Sequence, residues 1–163
     1  ARSSRICVEL GVPYCQLTRP AWVPTHEDNW TIIADEAQAQ EHVQPGDTVF
    51  LATGRQTLER FAGLEAKWLY CRQIDPPDAP FPFEKGEYII GRPPFSVEEE
   101  IALFRKLGID WLVVKNAGGS TSFSKLLAAR EIGLRVLMIA RPPAFDATRV
   151  ETIGAALAWV RAR

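Results

Sequence analysis

From Thr48 onward the chain alternates short apolar runs with segments whose apolar residues recur every three or four positions. Thr48-Val49-Phe50-Leu51-Ala52, Lys67 to Gln73, Tyr88-Ile89-Ile90, Trp111-Leu112-Val113-Val114 and Arg135 to Ala140 read as strands, and their nearly continuous apolar character suits strands buried on both faces. Between them lie helical patterns. Leu58, Phe61 and Ala62 fall on one face of a short helix; Val97, Ile101, Phe104 and Leu107 form a longer stripe; Val150, Ile153, Leu157 and Val160 mark the last one. Ser96-Val97-Glu98-Glu99 has the form of a capping box, in which Ser96 and Glu99 satisfy each other's backbone donors. Strand, loop and helix repeat five times, which predicts a doubly wound, mostly parallel five-stranded α/β sheet with helices on both faces.

The pattern ahead of Thr48 is less regular. Arg2 to Leu10 reads as the end of a helix stopped by Gly11 and Pro13, and Tyr14 to Thr18 as a short strand closed by Arg19-Pro20-Ala21-Trp22. Trp30 to Ala34 suits either a short strand or a packed connector. Asp35 to Val43 reads as a helix with Asp35 as N-cap, and Pro45-Gly46-Asp47 as a turn. A domain rarely opens on half a βαβ unit, so a preceding N-terminal segment is expected.

Composition narrows the function classes. Net charge is −1, with 19 basic against 20 acidic residues, so no overall field favours nucleic acid or an anionic membrane. No apolar run approaches the roughly 20 residues of a bilayer span, and no signal-peptide pattern stands at the start. Cys7, Cys15 and Cys71 match no metal or disulfide spacing and suit the reduced, mostly buried thiols of a cytoplasmic protein; His26 and His42 suggest no metal site.

The candidate chemistry sits where strands end. Trp111 to Val114 runs into Lys115-Asn116-Ala117-Gly118-Gly119-Ser120, after which Thr121, Ser122 and Ser124 supply hydroxyls able to cap a helix over Lys125 to Arg130. Thr53-Gly54-Arg55-Gln56-Thr57 and Gly91-Arg92-Pro93-Pro94-Phe95 are further polar loops, and Arg141-Pro142-Pro143 adds another arginine. In a parallel sheet such loops share one edge, so Arg55, Arg92, Lys115 and Arg141 are expected to converge on an anion, a polycarboxylate or a phosphorylated cofactor. The alternative is a tight glycine turn with solvated charges. No nucleophile elbow, Cys/His pair, HExxH, Walker loop or GxGxxG is present. Glu98, Glu99 and Glu100 are best explained by the dipole at a helix start. An enzyme built on such loops would mainly orient a cofactor against a substrate, as hydride transfer requires. The five tryptophans suit core packing, although Trp22 and Trp30 could line a cleft.

With these motifs in order, the chain resembles the precorrin-6A reductase family of cobalamin biosynthesis. The resemblance rests on Arg19-Pro20-Ala21-Trp22; Val49 to Gln56 with Leu58 and Phe61; Gly91 to Ser96 with Glu100; Val114 to Gly119; Lys125-Leu126 with Ala128-Ala129-Arg130-Glu131; and Val136 to Ile139 with Arg141-Pro142. Ala117 stands where the family often has Ser.

The resemblance implies an NADPH-dependent reductase that reduces one double bond of precorrin-6A to give precorrin-6B. A tetrapyrrole substrate is thereby expected; together with the composition, a cytoplasmic monomer with no nucleic-acid, membrane or metal partner is expected. The resemblance also implies two Rossmann-like domains: residues 1–22 as the tail of the N-terminal one, 23–46 as crossover, and 47–163 as the C-terminal one. Thr53, Gly54, Arg55, Gln56, Lys115, Asn116, Gly118 and Gly119 are the expected cofactor contacts, and Arg92, Arg141 and Trp22 the expected substrate contacts. No residue is named as proton donor; water could serve. The alternatives are reduction of the cobalt-containing analogue, a non-catalytic anion-binding α/β module, and an FMN carrier, for which Thr53 to Thr57 offers few hydroxyls.

Overall fold

A computed structural model describes residues 2–120, 122–142 and 148–163. They fall into two units, one formed by the described residues of 1–21 and 142–163 and the other by 22–141.

The larger unit is built on a six-stranded parallel sheet. Its strands are β2 (Trp30–Ile33), β3 (Thr48–Leu51), β4 (Trp68–Gln73), β5 (Gly86–Ile90), β6 (Trp111–Lys115) and β7 (Arg135–Ile139), in the order β2-β7-β6-β3-β4-β5. The doubly wound architecture is as expected, with one strand more than the five predicted. The addition is Trp30–Ile33, whose residues pair in parallel with Val136–Ile139. Without it the outer edge of β7 would stand open.

Apart from Thr48, Lys115 and Arg135 at their ends, strands β3, β6 and β7 are apolar because both faces are covered. Val49, Leu51, Val113 and Leu137 face a layer made by Ala39, Leu58 and Phe61. Phe50, Leu112, Val114, Val136 and Met138 face the opposite layer, made by helices α2 (Val97–Leu107) and α3 (Ser124–Glu131). The capping box predicted at Ser96 is present, with Glu99 N–H donating to Ser96 Oγ and Ser96 N–H to Glu99 Oε2.

Three local expectations change. Glu36–Glu41 and Arg55–Phe61 are 3-10 rather than α-helices, although Asp35 does cap the first by accepting from Ala37 and Gln38 N–H. In both, the residues that reach the core are three apart, Glu36 with Ala39 and Leu58 with Phe61. A three-residue turn stacks such positions one above the other. Helix α3 begins at Phe123 with no side-chain cap, and Thr121 lies outside the described residues. Phe123 is already in the helical region, because its N–H donates to Ser120 O; a hydroxyl cap needs an extended residue there.

The smaller unit contains α1 (Arg2–Glu9), β1 (Cys15–Leu17), β8 (Thr148–Val150) and α4 (Ile153–Arg161), with β1 parallel to β8. Thr148–Val150 therefore pairs with the start of the chain and not with the larger sheet, so the observed division differs from the expected partition at residues 22 and 46. Of the stripe predicted on the last helix, Ile153, Leu157 and Val160 lie on α4 but are exposed, and Val150 belongs to β8 instead.

Candidate functional site

Strand β3 lies where the sheet changes direction: the chain proceeds from it to β4 and β5 on one side, and to β6 and β7 on the other. Two parallel strands that send their connections to opposite faces leave a crevice beyond their carboxyl ends, where ligands of open α/β sheets bind. A cleft of roughly 660 Å³ occupies this place. Its wall comprises Thr53 to Gln56 after β3, the end of β4, the loop after β5, Lys115 at the end of β6, and the start of α3. That volume is within the roughly 300–1,000 Å³ of small-molecule sites.

The loop after β3 is shaped by Gly54, which has φ 75° and ψ 165°. This region of backbone space is essentially glycine-only, so the objection to a side chain is torsional: a Cβ at Gly54 would meet nothing within 4 Å. Gly54→Ala is accordingly expected to lose about 1–3 kcal/mol by denaturant unfolding, or to shift Thr53 and Arg55 to escape the strain. A neutral effect on both stability and ligand binding would show that the loop is freely redrawn.

Lys115 is held, not merely solvated. Its Nζ donates to Thr57 Oγ1 at 3.2 Å and lies 3.3 Å from Glu36 Oε1, while Arg60 donates to the other Glu36 oxygen at 3.2 Å. Burial alone would raise the Glu36 pKa. Hydrogen bonding at its own backbone, Arg60 and Lys115 outweigh that and hold the carboxyl below the usual range.

The floor of the cleft carries three charges that sequence reading did not single out as site residues. Arg72 donates from both guanidinium nitrogens to Glu100, at 2.7 and 2.8 Å, with side-chain exposures of 11% and 1%. The guanidinium also lies over the rings of Phe50 and Phe95, at 4.8 and 4.3 Å from their centroids. Beside the pair, Lys125 donates from Nζ to Ser122 O at 2.7 Å. Burial pushes this ammonium below the ordinary lysine value; the Glu100 carboxylate opposes the shift and the Arg72 charge reinforces it. Two further polar atoms of cleft residues, Thr53 Oγ1 and Gln73 Nε2, are buried without a hydrogen-bond partner among the described residues.

Of the expected contacts, Thr53, Gly54, Arg55, Gln56 and Lys115 line this cleft. The others are engaged beside it. Asn116 accepts from Trp22 N–H and donates to Trp22 O, both at 2.9 Å, and the Trp22 indole donates to Gly119 O at 2.7 Å. Arg141 donates to the carbonyls of Asn116 and Ala117 at 2.9 and 3.1 Å. Gly118 and Gly119 turn the segment with φ of 69° and 76°. Trp22, Asn116, Gly119 and Arg141 thus hold the loop after β6 in shape. Arg92 pairs with Asp75 at 2.6 Å on an exposed surface, and Pro143 lies outside the described residues. Arg55 and Lys115 are therefore the two of the four expected cations that share the cleft.

Among the described residues no group of three or more His, Cys, Asp or Glu could hold a metal ion, and no helix is long and apolar enough to cross a membrane. Cys71 is buried, and burial pushes its thiol up to about 11.

Residues 1–161 match the family described as "Precorrin-6x reductase CbiJ/CobK". A precorrin-6A reductase of Rhodococcus erythropolis is 44% identical over 152 residues, 92% of this chain and 61% of that protein. One of Rhodobacter capsulatus is 34% identical over 161 residues, 98% and 64% of the two chains. A cobalt-precorrin-6A reductase of Priestia megaterium is 28% identical over 152 residues, 82% and 56%. The solved structure titled "CobK precorrin-6A reductase" superposes with a TM-score of 0.93 at 33% identity, over 99% of this chain and 67% of that one. The chain thus spans a little under two thirds of the length of these two precorrin-6A reductase sequences.

Proposed function

Since the chain belongs to the precorrin-6x reductase family, we propose that it is part of an NADPH-dependent reductase that reduces one double bond of precorrin-6A to give precorrin-6B. A nicotinamide cofactor is the donor such a reductase needs. NADPH as the particular cofactor, cytoplasmic location and a monomeric state belong to the same proposal.

The observation that supports it most is the cleft at the switch point, which combines cations with polar atoms lacking partners. These residues fit a dinucleotide and a polycarboxylate. Arg55 and Lys115 supply charge for phosphate or carboxylate, Gly54 lets the backbone approach, and Thr53 and Gln73 offer buried hydrogen-bonding atoms. The bound cofactor would supply hydride. Thr53, Gly54, Arg55, Gln56 and Lys115 are proposed to hold it, with Asn116, Gly118 and Gly119 shaping the adjoining loop.

The test is NADPH oxidation, followed by absorbance loss, with the intact protein and precorrin-6A. Beside it runs an Arg55→Ala, Lys115→Ala double variant. Turnover by the native protein is expected, with NADPH affinity lowered at least tenfold in the folded double variant, since one charged hydrogen bond is worth about 1.5–3 kcal/mol. Turnover only with the cobalt-containing analogue would move the protein to the reaction named for the Priestia megaterium relative. Inactivity with both would favour a non-catalytic binding module.

A further inference from the structure

Lys125 is the one ammonium on the first turn of α3, and it lines the same cleft as Arg55 and Lys115 in a different setting. Lys115 is committed to Glu36 and Thr57. Lys125 is committed only to the Ser122 carbonyl among the described residues, which leaves two of its three protons free to be given to a ligand. Its nearest charged neighbours are the fully paired Glu100 and Arg72. With both Glu100 oxygens already engaged by Arg72, the carboxylate is poorly placed to act as a proton acceptor. Burial loosens this ammonium's hold on its proton relative to an ordinary lysine, which suits a group that gives a proton to a bound ligand.

We propose that Lys125 is the proton donor of the reduction. The inference rests on the reductase reading. Reduction of a conjugated double bond needs a hydride at one atom and a proton at its neighbour. As the C=C π bond accepts hydride from NADPH, its electron pair moves to the neighbouring atom. A Lys125 Nζ–H bond breaks and that proton forms the second new bond. The products are the dihydro-macrocycle, NADP⁺ and a neutral amine, which regains a proton from solvent through the open side of the cleft. The burial that makes the ammonium easier to deprotonate is partial, so solvent can return the proton after each turnover.

The groups facing Lys125 that would shape its titration are Glu100 on α2 and Arg72 on β4; Arg55, Asp75, Asp78 and Lys115 share the cleft wall. Three measurements on the intact protein test the proposal. Lys125→Arg keeps the charge but cannot release a proton in the working range. It is expected to bind NADPH and precorrin-6A within about threefold of the native protein, by fluorescence titration, while kcat falls about 10²–10⁴-fold. In Lys125→Ala, small primary amines in the buffer are expected to restore part of the rate, with a dependence on amine pKa that a purely structural role would not produce. In the ligand-free protein, the ¹³C-dimethylated Lys125 amine is expected to titrate below the other lysines by NMR. Native kcat in the Arg variant, or amine-independent loss in the Ala variant, would overturn the proton donor while leaving the reductase reading intact. Absence of turnover in the native protein would instead overturn the reductase reading, and the donor with it.

Discussion

Glu100→Ala is expected to lose about 3–5 kcal/mol of folding stability, because it strands the buried Arg72 guanidinium and removes the carboxylate that also steadies Lys125. Urea unfolding of the ligand-free protein measures it. Breaking one partner of a buried ion pair leaves an uncompensated charge, whereas replacing both partners with apolar groups of similar volume does not. Arg72→Met combined with Glu100→Met should therefore recover most of the loss, while still weakening the floor of the cleft as a charged surface. A single-variant loss under about 1 kcal/mol would mean that water reaches Arg72 and that the pair behaves as a surface salt bridge.

Phe50→Ala is expected to match it, at about 3–5 kcal/mol. Phe50 is fully buried on the α2 and α3 side of β3 and meets Phe104 edge to face, with centroids 5.3 Å apart and planes at 68°. It also carries the Arg72 guanidinium. Two effects combine in one substitution: a cavity opens in a dense layer, and Arg72 loses a ring that fixes its orientation. Because the two sites share Arg72, Phe50→Ala and Glu100→Ala should not add; a double variant whose losses sum within about 0.5 kcal/mol would show the contacts to be independent. Phe50→Leu, which keeps much of the volume, should lose less than half as much.

These two residues show what the sequence displayed and what it concealed. Phe50 sits in an apolar run that any reading assigns to a strand, and the alternation of β3 between two layers follows from its being covered on both sides. Glu100 belongs to an acidic triplet at a helix start, where the dipole accounts well for Glu98 and Glu99. Yet Glu100 stands three residues after Val97 and four before Phe104, on the apolar stripe itself. Position relative to the stripe, not charge, was the available signal.

Arg72 was concealed differently. It lies on the half-buried face of a strand whose alternate residues Leu69, Cys71 and Gln73 are buried, and only its partner on another element explains a guanidinium there. Lys125 was visible as part of a motif, but its surroundings come from α2 and β4, which no local pattern specifies. The two cations that do meet, Arg55 and Lys115, were legible because the carboxyl ends of parallel strands share an edge. Arg92 and Arg141 obey the same rule of placement and still miss the cleft, since nearby carbonyls and Asp75 engage them first.

The sheet order also has a consequence in time. Trp30 pairs with Val136, and Ile33 with Ile139, so the first strand of this sheet waits for its last. At ribosomal rates of about 5–20 residues per second, β2 spends roughly 5–20 s exposed before β7 emerges to receive it. Over that interval its apolar residues are available to any passing strand edge. The edge of the sheet is thus the part of this unit completed last during synthesis.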